Sequence, residues 1–304
     1  MRWTVRKGEG PTVGDVLRLA RADALALGEG RVFVGRRRVK RADERVAAGD
    51  VVGVAAPRDA VVSRAGVTVL FETDDLVAVD KPAGVPTIAD HGGAAHALVA
   101  LAARALSVDA ESLHPTSRLD RDVSGVVVLA RAPAAARRLS EARARGAYVR
   151  RYVAIAARAP SPLQGTWEAP IGRAPDPRKR AVGGRDPAPA VTHYATCGRT
   201  ERGEALLAVA PVTGRTHQIR VHASNAGAPL LGDRAYGGPS RITLPGGRVI
   251  EPRRIALHAA LVSVPDSAGT TRTAASPVPD EMRALWTDLG GDAADWERAL
   301  SCAV

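Results

Sequence analysis

Residues 117–131 read SRLDRDVSGVVVLAR. A polar loop carrying Asp120 between Arg118 and Arg121 runs directly into GVVVLA, an apolar stretch that suits a strand. Arginines this close favour the charged form of the carboxylate. The strand would give the loop the rigid support that a reactive group needs. On charge spacing alone, a solvated loop whose charges pair with one another is the simpler account. The choice between them rests on the surrounding chain.

Upstream, VTVLFET (67–73) and LVAVDKP (76–82) read as two strands joined by a turn at Asp74 and Asp75, and Ala94 to Leu106 as a helix. Downstream, residues 133–146 form an amphipathic basic helix, and AYVRRYVAIAA (147–157) a strand. Pro160 to Pro189 is dense in Pro, Gly and Arg and should be irregular or hairpin-like. VTHYATC, ALLAVAPV and ALVSVP are further strands, and a short helix is expected from Glu281 to Leu289. Residues 12–27 show helical spacing with Thr12 as N-cap and Asp15 three residues later. RVFVGRRRVK predicts a hairpin around Gly35, AGDVVGVAAP a short strand, and PRDAVVSRAG (57–66) a linker. The expected division is a small unit over 1–60 and a larger one over 66–304. Hairpins mixed with helices indicate an α+β fold rather than a doubly wound parallel sheet.

The 304 residues include 43 Lys and Arg against 32 Asp and Glu, a formal net charge of +11. Such a surplus favours a polyanionic partner, nucleic acid before membrane. Aromatic residues make up only 3%, so the core must be built from Val, Leu, Ile and Ala. Cys197 and Cys302 are far apart in sequence and lack ligand-spaced neighbours, which points away from a disulfide framework or zinc site and fits a reducing cytoplasm. The first residues lack the apolar core of a signal peptide, and no uncharged apolar run approaches membrane-spanning length.

Two further segments could carry chemistry. PVTGRTHQIRVHASNAGAPLLGDRAYGG (211–238) predicts a tight turn at Gly214 and a helix capped by Thr216, projecting Arg220 and ended by Gly227. His217 and His222 are five apart, a poor metal pair, since one helical face needs a spacing of three or four. In YVRRYVAI, Tyr148 and Tyr152 share one face by period two, and an interior Tyr is ordinarily a core residue.

Taken in order, these segments resemble the RluA family of pseudouridine synthases from about residue 67 to 264. KPAGVPT, RLDRDVSG, RRYVAI, GRDPAPAVTHY, GRTHQIRVH, LLGDRAYGG and RIALHAALVSV each match a family motif. The resemblance implies that Asp120 is the catalytic carboxylate, Tyr152 the active-site tyrosine and Arg220 the ion-pair partner of Asp120. It implies that Arg118 displaces the target base, with Ser117 and Arg121 beside it in the loop. Two positions depart from the pattern: Ser117 stands where His is usual, with His114 three positions earlier, and Val123 where Thr is usual. The stretch GRVFVGRRRV…VAAGDVVGV (30–54) resembles the small S-four-like RNA-binding module, with a shortened helical part.

The implied fold is a pseudouridine synthase domain with a mixed, mainly antiparallel central sheet and a cleft between two subdomains, preceded by a small α+β unit. The implied reaction moves the ribose of a uridine from ring nitrogen 1 to carbon 5, with neither metal nor cofactor, on ribosomal RNA before transfer RNA. Phosphate-loop and dinucleotide-binding signatures are absent from the sequence, which agrees. Arg36, Arg37, Arg38, Lys81, Arg137, Arg138, Arg143, Arg145, Arg215 and His217 are expected to contact RNA, and the chain is expected to act as a monomer. Glycoside hydrolysis is the enzymatic rival, but it needs two flanking carboxylates. The other is a catalytically silent RNA-binding protein on the same scaffold.

Overall fold

In the computed structural model, residues 2–6, 8–20, 27, 32–35, 37–39, 41–54, 67–89, 93–245 and 247–304 are described. The first elements are β1 (Arg2–Thr4), α1 (Val13–Leu19), β2 (Val32–Val34), β3 (Arg37–Arg38) and β4 (Val51–Val54). The strands pair antiparallel in the order β1-β4-β2-β3. Thr12 caps α1 reciprocally with Asp15, as expected. Gly35 makes the β2–β3 turn with φ +60°. Val5, Val13, Val16, Val32, Val39 and Val52 form a small valine core. The later part of the expected first helix, Arg36 and the expected linker at 57–66 lie outside the described residues.

The larger unit continues with β5 (Thr68–Glu72), β6 (Leu76–Lys81), α2 (Leu98–Leu106), β7 (His114–Pro115), β8 (Ser124–Ala130), α3 (Pro133–Ala144) and β9 (Val149–Ala156). Next come β10 (Gln164–Glu168), β11 (Ile171–Arg173), β12 (Arg180–Val182), β13 (Arg185–Ala188), β14 (Val191–Arg199), β15 (Ala205–Pro211) and α4 (Gln218–Asn225). The chain finishes with β16 (Ile242–Thr243), β17 (Val249–Ile250), β18 (Leu257–Pro265), β19 (Thr271–Ala275), α5 (Asp280–Asp288) and α6 (Ala294–Ser301). The helix α6 was not anticipated from the sequence.

One sheet, in the order β10-β14-β15-β9-β18-β8-β6-β5, organises this unit, with β19 added to β18 and β7 to β8. Every pairing is antiparallel except β18 with β8, which makes the sheet mixed and mainly antiparallel. Strand β8 lies in its interior with all seven residues buried, which explains why its sequence is continuously apolar rather than alternating. Alternation nevertheless sorts its side chains: Val127 and Leu129 face one core cluster, and Val126, Val128 and Ala130 face another under α3. Strands β9 and β15 of the same sheet pack Val153, Ile155 and Leu206 against Trp286 and Trp296 of α5 and α6. Tyr148 and Tyr152 do not share a face as their spacing suggested. Tyr148 precedes β9 and joins the α3 cluster, whereas Tyr152 joins the cluster that carries Leu119 and Val123.

The parallel joint fixes the end of the catalytic-loop candidate. A side chain at Gly125 (φ +115°) would meet the Ala259 carbonyl oxygen at 2.2 Å, so only glycine lets β8 approach β18 so closely. Beside it, the Ser124 hydroxyl donates to Nδ1 of His258 at 2.8 Å, and Nε2–H of His258 donates to the Ser276 carbonyl. Both ring nitrogens are therefore satisfied in the neutral form, and burial pushes the His258 imidazole down to about 4.

Below the ordinary histidine value the unfolded chain binds a proton that the folded chain does not take up until near pH 4. Stability from this group is therefore present above about pH 6.5 and lost as pH falls towards 4, by about 3 kcal/mol over the window. Urea unfolding of parent and His258→Gln proteins, near pH 4.5 and near pH 7.5, should show a smaller loss on acidification in the variant. An equal loss in both would place the acid sensitivity elsewhere.

Candidate active site

Asp120 is presented by a loop whose backbone is clamped on both sides. Before it, Thr87 Oγ1 donates to the Leu119 carbonyl at 2.9 Å and accepts from the Leu119 amide at 3.0 Å. After it, the Arg121 carbonyl accepts from Lys81 Nζ at 3.0 Å and from the Gly84 amide at 2.8 Å. The loop closes on itself through the Val123 amide and the Asp120 carbonyl at 3.1 Å. The KPAGVPT segment, at the end of β6, is thus the mould in which RLDRDV is set.

Lys81 was expected to contact RNA, and the structure places it elsewhere. Its side chain is fully buried, and its ammonium donates to the carbonyls of Pro82, Val85 and Arg121. Three acceptors match the three protons of the charged form, while burial pushes its proton affinity down to about 7 against the opposing charges of Asp120 and Asp122. It supports the loop from beneath.

Across the pocket stands α4, and its first turn supplies the charge partner. Arg220 donates from Nη1 to Asp120 Oδ2 at 2.6 Å, and from Nε and Nη2 to both oxygens of Asp233 at 2.7 and 2.8 Å. Burial disfavours the guanidinium charge, but the hydrogen bonds to Asp233 and the charges of both carboxylates outweigh it and hold Arg220 above its ordinary value. Asp233 is 1% exposed and wholly engaged, whereas Asp120 still reaches the pocket. The partner of Asp120 is therefore Arg220, one hundred residues away, rather than the adjacent Arg118 or Arg121. Arg118 is exposed, and both adjacent arginines line the open mouth.

His217 takes the N-cap position of α4 in the left-handed region (φ 60°), displacing Thr216 from its expected capping role. Its ring lies over the second Asp120 oxygen, with Nε2 at 3.7 Å from Oδ1, a distance for electrostatic contact rather than a hydrogen bond. Tyr236 Oη accepts from the Arg180 amide at 2.8 Å, so its own proton is available to His217 Nδ1 at 2.7 Å. That leaves the imidazole proton on Nε2, facing Asp120. Burial lowers the proton affinity of His217, against the charge of Asp120. The Tyr236 ring also covers Arg220, whose guanidinium carbon is 4.8 Å from the ring centre.

Gln218 saturates all its hydrogen-bonding capacity beneath this turn. Its oxygen accepts from Thr213 Oγ1 and the Arg215 amide, and its amide nitrogen donates to the Val191 carbonyl and Thr192 Oγ1. Thr192 passes its own proton to His222 Nδ1, and His222 Nε2–H ends the chain on the Ala169 carbonyl. Both nitrogens of His222 are consumed, so it cannot join His217 on a metal. No group of three His, Cys, Asp or Glu arranged to hold a metal occurs among the described residues.

The pocket formed between loop and helix has Asp120, Tyr152, Arg150, Val123, Leu257 and Arg220 in its walls. Tyr152 is 8% exposed, and burial raises its phenol above the ordinary value. Val123, which departs from the resembled pattern, is 2% exposed and continues the apolar wall into the core. Ser117 is held from the other side: Tyr148 Oη reaches both Thr116 Oγ1 at 2.8 Å and Ser117 Oγ at 3.3 Å. A wider groove opens from the pocket between residues 86–89, 118–121 and 214–217, with Arg118, Arg121 and Arg215 along it. Asp122 is exposed and outside the pocket lining, and Asp233 is sealed behind Arg220. Among the described residues only one carboxylate faces the cavity, so the pair that glycoside hydrolysis requires is not found among them.

The expected RNA-contacting side chains divide. Arg137 is exposed on α3. Arg138 is instead paired with Asp75, and Arg143 turns inward to donate to the Thr116 carbonyl and lie over the Tyr148 ring at 4.5 Å. Those two brace the sheet and loop. Arg145 lies near Glu141, Arg37 pairs with Glu44, and Arg38 lies over the Phe33 ring. Thr87, Asp233 and Tyr236 were not singled out from the sequence, although each lies in a quoted motif.

With the site in view, known proteins provide a comparison. A family profile described as RNA pseudouridylate synthase matches residues 75–225. The chain is similar to the ribosomal large subunit pseudouridine synthase D of Xanthomonas campestris, at 36% identity over 79% of this chain and 73% of that one. It is also similar to an uncharacterized RNA pseudouridine synthase of Zymomonas mobilis, at 34% identity over 73% of this chain and 96% of that one. Among solved structures, human RNA pseudouridylate synthase domain containing 4 superposes with a TM-score of 0.59 at 25% identity, covering 74% of this chain and 93% of that chain.

Asp233→Ala should leave the buried Arg220 with half its neutralisation and destabilise the fold by about 3–5 kcal/mol. A urea-unfolding midpoint equal to the parent's would show that Asp233 does not carry this role.

Proposed function

The chain belongs to the RluA-type RNA pseudouridine synthases, enzymes that form pseudouridine in RNA, and from that premise we propose that it modifies ribosomal RNA through a mechanism centred on Asp120. The observation that carries this reading is the pocket-facing carboxylate of Asp120, held by Arg220 at 2.6 Å and walled by Tyr152. Relatives named for the ribosomal large subunit support the choice of RNA.

The reaction breaks the bond from uracil nitrogen 1 to ribose carbon 1′ and makes one from carbon 5, while a proton leaves carbon 5 and nitrogen 1 regains one. Atoms balance without a co-reactant. Asp120 acts at the sugar, by attack on carbon 1′ or by removing the 2′ proton. Both routes need a carboxylate whose position does not depend on the incoming substrate, and the Arg220 bridge and loop clamps supply that. Tyr152 offers a flat apolar face for the detached uracil while it turns, and its hydroxyl is the group in the wall suited to assist at carbon 5. Val123 and Leu257 exclude water from the same space.

To reach this pocket a uridine must leave its stack, at a cost of a few kcal/mol. Arg118, exposed at the mouth of the groove, would fill the gap, with Arg121 and Arg215 on flanking phosphates. The N-terminal sheet, read as an S-four-like unit over residues 1–60, adds a second RNA contact through the segment around Arg37 and Arg38.

Asp120→Asn should lower isomerisation by at least about 10⁴-fold, as removal of a bond-making group does. Binding to the same RNA should stay within a few-fold. The measurement is tritium release from RNA carrying 5-tritiated uridine, alongside filter binding. Full release in the variant would remove Asp120 from the mechanism.

A further inference from the structure

Strands β11, β12 and β13 form a separate small sheet beside α4, in the order β12-β11-β13. Its base is apolar: Ile171 is buried with Ala190 and with Val221 of α4. Its outer end is not. Arg173 lies directly opposite Arg180 on one side and Arg185 on the other, so three arginines share one face across three strands. Like charges in directly opposed positions destabilise a sheet. The strands also approach closely, since a side chain at Gly172 would meet the Gly184 carbonyl at 2.4 Å.

Little within the protein offsets this cluster. Residues 171–188 contain five basic and two acidic side chains. Asp176 is engaged by Arg178, and Asp186 lies at 3.9 Å from Arg185 with both side chains largely exposed. Among the described residues no carboxylate lies within ion-pair distance of Arg173 or Arg180. Arg180 spends one terminal nitrogen on the carbonyls of Pro177 and Lys179. The cluster is also tied to the active site. The Arg180 amide donates to Tyr236, which donates to His217 above Asp120, and the Arg180 charge itself lowers the proton affinity of His217.

We propose that Arg173, Arg180 and Arg185 form a phosphate-docking site for the RNA backbone flanking the target nucleotide. A polyanion is the partner that turns three opposed cations from a cost into a contact, and planar guanidinium groups match phosphate oxygens. The site lies on the α4 side of the pocket, outside the groove lined by Arg118, Arg121 and Arg215. RNA held at both places would span the pocket mouth. This inference rests on reading the chain as an enzyme that acts on RNA.

The test uses the full chain and large-subunit ribosomal RNA transcribed in vitro, with affinity measured by filter binding across a salt series. The variant R173S/R180S/R185S should bind about 10- to 100-fold more weakly near 0.1 M salt, with a salt slope shallower by about 2–3. Its melting temperature should equal or exceed the parent's, because like-charge repulsion is relieved. The charge-keeping variant R173K/R180K/R185K should retain most of the slope. A control with three other exposed arginines removed, R199S/R241S/R248S, should bind as the parent does. Parental affinity and slope in the ladder variant would overturn the proposal. So would an equal loss in the control, or a loss accompanied by a lower melting temperature. The isomerase reading fails separately, through absence of tritium release by the parent, and leaves the binding result standing.

Discussion

A buried guanidinium shared by two carboxylates is the constraint around which this protein is arranged. Arg220 is satisfied only if Asp233 meets it in a bidentate geometry and Asp120 closes the remaining side. Neither carboxylate is near Arg220 in sequence, so the β6–β8 region and the segment after α4 must dock correctly before the charge is neutralised. A buried charge with an absent partner is far more costly than the intact pair is favourable. The arrangement therefore enforces correctness of the fold and readiness of the site together. The same geometry divides the labour of the carboxylates, with Asp233 behind the arginine and Asp120 in front of it.

Hydrogen bonds to backbone do the remaining positioning. Thr87, Gly84 and Lys81 hold the peptide groups on either side of Asp120, and the parallel contact of β8 with β18 holds the exit of the loop. On the opposing wall, Gln218 and the Thr192–His222 chain hold the first turn of α4. Apart from Gly84 these groups are buried, and leaving any buried one unpaired would cost more than its bond contributes. A rigid loop is the result, in a chain with few aromatic side chains to supply bulk.

Much of this was readable in the sequence, and the exceptions share a cause. The apolar run after RLDRDVSG gave an interior strand, and the ordered motifs gave Asp120, Tyr152 and Arg220, which the structure brings to one pocket. Residue type misled where a cation is consumed internally. Lys81 and Arg143 look like surface charges until the carbonyls that receive them, up to 40 residues away in sequence, are known. Thr87 and Tyr236 were missed because a lone hydroxyl carries no sign of its partner. Tyr148 kept the expected parity with Tyr152 but not the expected face, because it lies before β9 begins. The cross-strand arginines were hidden for a related reason: nothing in the Pro- and Gly-rich stretch states which residues oppose one another.

The clamps on the Asp120 loop grip peptide groups, and that has an evolutionary reading. A carbonyl or amide is the same whatever side chain it carries, so positions 117 and 123 can change without loosening the hold on Asp120. Ser117 and Val123 are two such changes from the resembled pattern, one braced by Tyr148 and the other absorbed by the core. The position of Asp120 and the identity of its neighbours are thereby uncoupled within seven residues of chain. A lineage can change the loop's side chains while inheriting Asp120 in an unchanged place.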